Sequence, residues 1–268
     1  VTPVSSGAVV DGARTSGRAA LVGYLPAGFP SYDGCVDLLT AMVDSGVDVV
    51  EVGLPYSDPV IDGPTIQAAA DLALRNGTRT ADVLRTVEAV AATGAAVLVM
   101  TYWNPVLRYG VDAFARDLAA AGGAGLITPD LIPDEAAEWV AASDAHGLER
   151  VFLVAPSSSP ARIERTVAAC RGWVYAASTM GVTGARTETS SVAPALVERV
   201  RAATSLPVCV GLGVSNGAQA AEVAAYADGV AVGSAFVRCV FDAGTERAAK
   251  RTTAALAAEL AAGCRRGA

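Results

Sequence analysis

The sequence predicts a single-domain (β/α)8 barrel, of the TIM-barrel class, and three observations carry that expectation. Short Val/Ile/Leu-rich runs alternate with longer Ala-rich amphipathic ones, the pattern of a parallel sheet covered by helices. Eight such apolar runs are found, each followed by a helical segment. The length, 268 residues, is close to the roughly 250 typical of a closed barrel.

The strand runs are Ala20–Tyr24, Val47–Val52, Ala96–Thr101, Ala124–Thr128, Arg150–Val154, Trp173–Ala177, Pro207–Val210 and Gly229–Val232. Helical segments fall near 32–45, 64–75 with 80–93, 111–121, 133–145, 160–170, 191–203, 216–225 and 243–262. Their starts carry ordinary signals: Asp134 and Glu135 follow Pro133, and Ser159 precedes Pro160. Residues 1–18 are rich in Ser and Gly and are expected to be a poorly ordered N-terminal segment. Residues 19–268 then form the barrel domain.

Composition narrows the function. The net charge of −7 argues against nucleic acid and anionic membranes as partners. A phosphate-bearing ligand stays compatible with it, because backbone N–H groups bind phosphate locally. The five cysteines show no C-x-x-C pair, so reduced thiols and a cytoplasmic setting are expected. The N-terminal residues do not read as a signal peptide, and no run of ~18 apolar residues suggests a membrane span. There is one lysine, Lys250, and one histidine, His146.

In a barrel the chemistry sits at the C-terminal ends of the strands. Glu51 lies inside the apolar run Val49-Val50-Glu51-Val52-Gly53. A buried carboxylate is costly unless it has a role or a partner, and burial raises its pKa towards the range useful for proton transfer. A structural pairing with arginine is the alternative. Asp62 follows in a Pro- and Gly-punctuated loop, where Asp62-Gly63-Pro64-Thr65 taken alone reads as a turn and helix start. Asp130 follows the fourth strand, Tyr102 the third, and Tyr175 lies within the sixth. Aromatics at such positions are more often core than ligand contacts.

Gly211-Leu212-Gly213 follows the seventh strand, and Gly233-Ser234 follows the eighth and opens a helix. Loops at these two places commonly form a phosphate site from backbone N–H groups, and glycine lets a backbone approach a ligand closely. Met180–Ser190, after the sixth strand, has the length and small residues of a closing lid; an ordinary loop is the alternative.

Elimination removes several chemistries. Schiff-base catalysis needs a lysine at a strand end, and Lys250 is not at one. A single histidine cannot furnish a metal cluster, and no metal is expected. His146 is also far from any strand end, which excludes a Ser-His-Asp arrangement. Carboxylate acid–base chemistry remains. A carbon–carbon cleavage driven by carboxylates alone needs a substrate with its own electron sink, which an indole ring supplies once protonated at C3.

The stretch Glu51-Val52-Gly53-Leu54-Pro55-Tyr56-Ser57-Asp58-Pro59 through Asp62-Gly63-Pro64-Thr65-Ile66-Gln67 resembles the signature of the tryptophan synthase α-subunit family. The resemblance extends through Gly23–Gly28, Tyr102-Trp103-Asn104-Pro105, Thr128–Leu131, Gly181–Gly184 and Gly211–Gly213, over roughly residues 19–240. It implies a lyase that cleaves indole-3-glycerol phosphate to indole and glyceraldehyde 3-phosphate. Glu51 would protonate indole C3 and shuttle the glycerol hydroxyl proton, and Asp62 would hold the indole N–H. Tyr24, Met100, Ile127 and Leu212 would line the pocket, with Tyr102 assigned to the same substrate site. Tyr175 would lie beside Glu51. Backbone at Gly184, Gly213 and Ser234, with Gly211 and Gly233, would bind phosphate, and Thr183 would meet Asp62 when the lid closes.

The resemblance also implies a β-subunit partner in an αββα heterotetramer, docked through Asp58, Asn104, Leu107, Arg108 and Pro133. That partner would carry pyridoxal phosphate, and this chain no cofactor. Three competing readings remain: a stand-alone indole-releasing lyase, an isomerase barrel of another biosynthetic step, and a catalytically silent subunit that has kept the fold.

Overall fold

A computed structural model describes residues 2–177, 192–211 and 213–265. Eight parallel strands close into a barrel: β1 (Ala20–Pro26), β2 (Val49–Gly53), β3 (Ala96–Met100), β4 (Gly125–Thr128), β5 (Glu149–Val154), β6 (Val174–Ala177), β7 (Val208–Gly211) and β8 (Gly229–Val232). Closure is made by β1 pairing with β8, Ala20 opposite Gly229 and Val22 opposite Ala231. The expected barrel is therefore the observed one, with strand ends displaced by one or two residues from the apolar runs.

Among the described residues twelve α-helices surround or cap the barrel. They are α1 (Ser6–Thr15), α2 (Tyr32–Asp44), α3 (Pro64–Arg75), α4 (Thr80–Ala91), α5 (Trp103–Tyr109), α6 (Val111–Ala120), α7 (Ala137–Ala145), α8 (Pro160–Ala169), α9 (Ala193–Arg201), α10 (Gly217–Ala224), α11 (Ser234–Phe241) and α12 (Glu246–Gly263). The segment expected as helix from 133 splits into a short 3-10 turn, Pro133–Glu135, followed by α7.

Strand alternation sorts the core into two shells. Leu21, Val50, Val52, Val97, Val99, Leu126, Phe152, Val208, Val210 and Val230 face outward and pack under the helices. Ala20, Val22, Val49, Ala96, Leu98, Ile127, Val151, Tyr175, Cys209 and Ala231 point inward and fill the barrel. These layers make the interior a packed core rather than a pore. Cys209 belongs to the inner shell, and Cys35, Cys170, Cys209 and Cys264 are buried free thiols.

The N-terminal segment departs from expectation. Instead of a poorly ordered stretch, Ser6–Thr15 form α1, whose Val10 and Ala13 are buried in the inner cluster and cover the barrel floor. The physical reason is capping. Ser5 Oγ accepts from the Ala8 N–H at 3.1 Å. The Glu149 carboxylate, at the start of β5, accepts from Ser5 Oγ at 2.6 Å and from the Ser6 and Gly7 N–H groups, each at 3.2 Å. A carboxylate from a distant strand thus satisfies the first turn of a helix whose own sequence carries little helical preference.

Candidate active site

Glu51 has the parity of Val49, so its side chain enters the barrel towards the C-terminal mouth. Its strand neighbours in register are Tyr24 on β1 and Leu98 on β3. The residue is 2% exposed, and Oε1 has no hydrogen-bond partner among the described residues. Burial pushes its carboxyl from 4.5 up to about 8. The alternative of a structural Glu–Arg pair has no support: Glu51 is in no ion pair among the described residues.

Asp62 lies in the loop between β2 and α3. Two contacts fix that loop. The Gln67 side-chain amide donates to the Asp62 carbonyl at 2.7 Å. The Tyr102 hydroxyl accepts from the Val60 and Ile61 N–H groups at 3.1 and 3.0 Å. Burial pushes the Asp62 carboxyl up to about 6, opposed by its hydrogen bond to the Tyr102 hydroxyl. Burial raises Glu51 further than Asp62, and groups whose environments separate their pKa values in this way are suited to opposite proton-transfer roles.

Tyrosines line the space around them. Tyr24 is raised well above the ordinary tyrosine range, first by burial and then by the charges of Asp62 and Glu51. Tyr175, buried beside Glu51 and Cys209, behaves alike. Both explain nearby glycines. A Cβ on Gly53 would lie 2.3 Å from the Tyr24 hydroxyl, and one on Gly211 would lie 1.9 Å from the Tyr175 hydroxyl. At Gly211, expected in the phosphate site, the Tyr175 phenol leaves no room for a side chain. Gly213 adopts a left-handed φ of +96°. Gly233 caps α11 without a side-chain bond and lies against the Tyr24 ring, and Ser234 begins that helix. Ile127 is buried in the inner shell, and Met100 ends β3 half-buried beside it.

Thr183, Gly184 and Leu212, with the expected lid at 180–190, lie outside the described residues. Tyr102, expected in the substrate site, clamps the Asp62 loop. Asp130 accepts from the Trp103 N–H at 2.9 Å and so starts α5, a helix that the apolar pattern did not disclose. The only sequence signal for this was an acid after a strand.

On the outer side of the mouth, Asp58, Asn104, Leu107 and Arg108 are exposed and Pro133 is half-buried. Asn104 Nδ2 donates to the Tyr56 hydroxyl at 3.1 Å. Leu107 is 52% exposed, and Val60, which sequence reasoning passed over, is 69% exposed. Lys250 is paired with Asp37 between α12 and α2, and His146 meets Asp112 at 2.9 Å at the end of α7, so neither reaches the mouth. No group of three His, Cys, Asp or Glu side chains able to hold a metal occurs among the described residues.

Fold and site together define a (β/α)8 barrel with two burial-raised carboxyl groups, Glu51 and Asp62, at its C-terminal mouth. Comparison with known proteins makes this specific. Residues 11–265 match the family model described as tryptophan synthase alpha chain. The tryptophan synthase alpha chain of Salinispora arenicola is 65% identical over 259 residues, 97% of each chain. That of Acidothermus cellulolyticus is 66% identical over 253 residues, 94% of each. A solved structure of Mycobacterium tuberculosis tryptophan synthase is similar with a TM-score of 0.92 at 59% identity, covering 99% of this chain and 100% of that one. Tryptophan synthase subunit alpha from Legionella pneumophila gives 0.88 at 30% identity, covering 97% and 98%. The chain belongs to the tryptophan synthase alpha chain family, lyases that cleave indole-3-glycerol phosphate. The readings as a stand-alone lyase, an isomerase barrel or a silent subunit are not favoured.

Proposed function

We propose that Glu51 is the acid–base group of this cleavage and Asp62 the indole anchor. The observation that carries the reading is the buried Glu51 carboxyl with one oxygen unpartnered, raised by burial, at a tyrosine-lined mouth where Tyr24 feels the charges of both Glu51 and Asp62. Glu51 delivers its proton to indole C3. The carbon–carbon bond to the glycerol chain then breaks, and its electron pair neutralises the iminium. The glutamate takes back the proton of the adjacent hydroxyl as that carbon becomes the aldehyde, so Glu51 ends protonated. Asp62 accepts the indole N–H and stabilises the positive charge on the ring. Tyr24, Met100, Tyr102, Ile127, Tyr175 and Leu212 enclose the indole. Backbone N–H groups at Gly184, Gly213 and Ser234, with Gly211 and Gly233 shaping the turns, grip the phosphate at the start of α11, and Thr183 closes over Asp62.

In this reading the indole passes to a β subunit that carries pyridoxal phosphate, in an αββα assembly working in the cytoplasm. The exposed apolar side chains of Val60 and Leu107, among the polar Asp58, Asn104 and Arg108, support a protein partner at the mouth. Indole release from indole-3-glycerol phosphate, with and without an added tryptophan synthase β subunit, tests this. Slow turnover accelerated by the β subunit is expected. Fast turnover that ignores the β subunit would support a stand-alone lyase, and no turnover in either case would overturn the reading.

A further inference from the structure

A continuous set of contacts runs from the floor of the barrel to Tyr175. At the floor, the Glu149 carboxylate accepts from the hydroxyl and N–H of Ser6 and from the Ser5 hydroxyl. Ser6 Oγ in turn accepts from the Trp173 indole N–H at 3.0 Å. Ser6 and Trp173 are both fully buried. The Trp173 ring lies 5.6 Å from the Tyr175 ring, tilted by 32°. Tyr175, two residues on in β6, points the same way into the barrel, within reach of the Glu51 charge.

Backbone packing reinforces this route. A Cβ on Gly7 would lie 2.6 Å from the Cα and carbonyl oxygen of Gly172. The first turn of α1 is therefore seated directly on the residue that precedes Trp173. A Cβ on Gly172 would in turn lie 2.9 Å from the Glu149 carboxyl. Three separate features of α1 thus converge on the start of the strand that bears Tyr175: the Ser6 hydroxyl, the Gly7 backbone and the shared Glu149 anchor. Capping of α1 needs the Glu149 carboxylate and Ser5, but not the hydrogen bond from the Trp173 indole N–H to Ser6 Oγ.

We infer that α1 is a positioning element for catalysis, with Ser6 and Trp173 as positioning residues that set the Tyr175 ring and through it the Glu51 carboxyl. This rests on the reading of Glu51 as the acid–base group. Tyr175 has little freedom to adjust, because its hydroxyl fills the space above Gly211. A shift of the Trp173 ring therefore passes to Tyr175 and Glu51 instead of being absorbed. Interiors packed this closely transmit small displacements, and misplacement of a reacting group by a fraction of an ångström lowers turnover without weakening substrate binding.

The test measures kcat and KM for indole release by the full chain carrying Ser6→Ala, Trp173→Phe, both together, Ser6→Thr, or Glu51→Gln, with the melting temperature of each. Ser6→Ala is expected to lower kcat about fivefold with KM within about twofold. Trp173→Phe, which keeps an aromatic ring but removes the N–H, is expected to do the same. The double variant is expected to lose no more than either single one, because the two residues act through one bond. Ser6→Thr retains the hydroxyl and is expected to restore most of kcat. A lowered melting temperature with unchanged kcat in both Ser6→Ala and Trp173→Phe would overturn the inference and leave α1 as cover alone. Retained turnover in Glu51→Gln would instead overturn the acid–base reading on which it rests.

Discussion

Tyr24 and Glu51 are paired in register across the β1–β2 ladder, so a phenol and a carboxyl enter the barrel side by side. With Leu98 in register on its other flank, Glu51 has neighbours that dehydrate it and do not neutralise it. Its carboxyl rises from 4.5 to about 8 for that reason. The folded state then holds the proton more tightly than the unfolded chain. Stability is greatest below about pH 4.5 and is lost as pH rises through about 8, by about 1.4 kcal/mol for each unit between those values. Glu51→Gln is expected to be more stable than the wild type by several kcal/mol at about pH 8.5, with the difference shrinking towards about pH 5. Urea unfolding of both proteins at the two pH values checks this.

The two carboxyls predict a bell-shaped rate profile. Turnover requires Asp62 ionised and Glu51 protonated, so kcat/KM falls below about pH 6 and again above about pH 8. Steady-state indole release between about pH 5 and about pH 9 gives both limbs.

Tyr102 joins the loop to the anchor. Its hydroxyl accepts two backbone N–H groups and hydrogen-bonds Asp62. Tyr102→Phe leaves those donors unpaired and removes the bond that favours ionised Asp62. The acid limb of the rate profile is expected to move upward, and kcat at neutral pH to fall about tenfold, as the loss of about 1.4 kcal/mol implies.

Gly211 and Tyr175 compete for one volume. Gly211→Ala is expected to destabilise the protein by about 1–3 kcal/mol and to lower kcat. Adding Tyr175→Phe removes the hydroxyl that clashes and is expected to recover part of the stability. Thermal melts of the two single variants and the double give the coupling.

The exposed apolar residues at the mouth predict where a partner acts. Leu107→Asp or Val60→Asp is expected to weaken stimulation by a β subunit at least tenfold while indole release by the isolated chain stays within about twofold. Titration of the stimulated rate with β subunit measures the change.

The fold was legible because its signals are local. Val-rich runs buried on both faces and the Ala-rich segments between them repeat along the chain, and the strand ends moved by only a residue or two. Glu51 was legible for a related reason, since a charge inside such a run has no ordinary place. What was hidden depends on residues distant in sequence. The Ser5-Ser6-Gly7 stretch reads as loose until Glu149 supplies its cap. The start of α5 depends on Asp130, across the mouth. The steric demand at Gly211 was hidden because the Tyr175 hydroxyl that meets it comes from the neighbouring strand.

The most direct measurement of the central claim is a single-turnover reaction of indole-3-glycerol phosphate with the wild type and with Glu51→Gln, followed by indole appearance. A single exponential rise of indole is expected from the wild type, and a rate at least about a thousandfold lower (on the order of 4 kcal/mol in the barrier) from the variant, with substrate still bound. Indole release by Glu51→Gln within about tenfold of the wild type would contradict it.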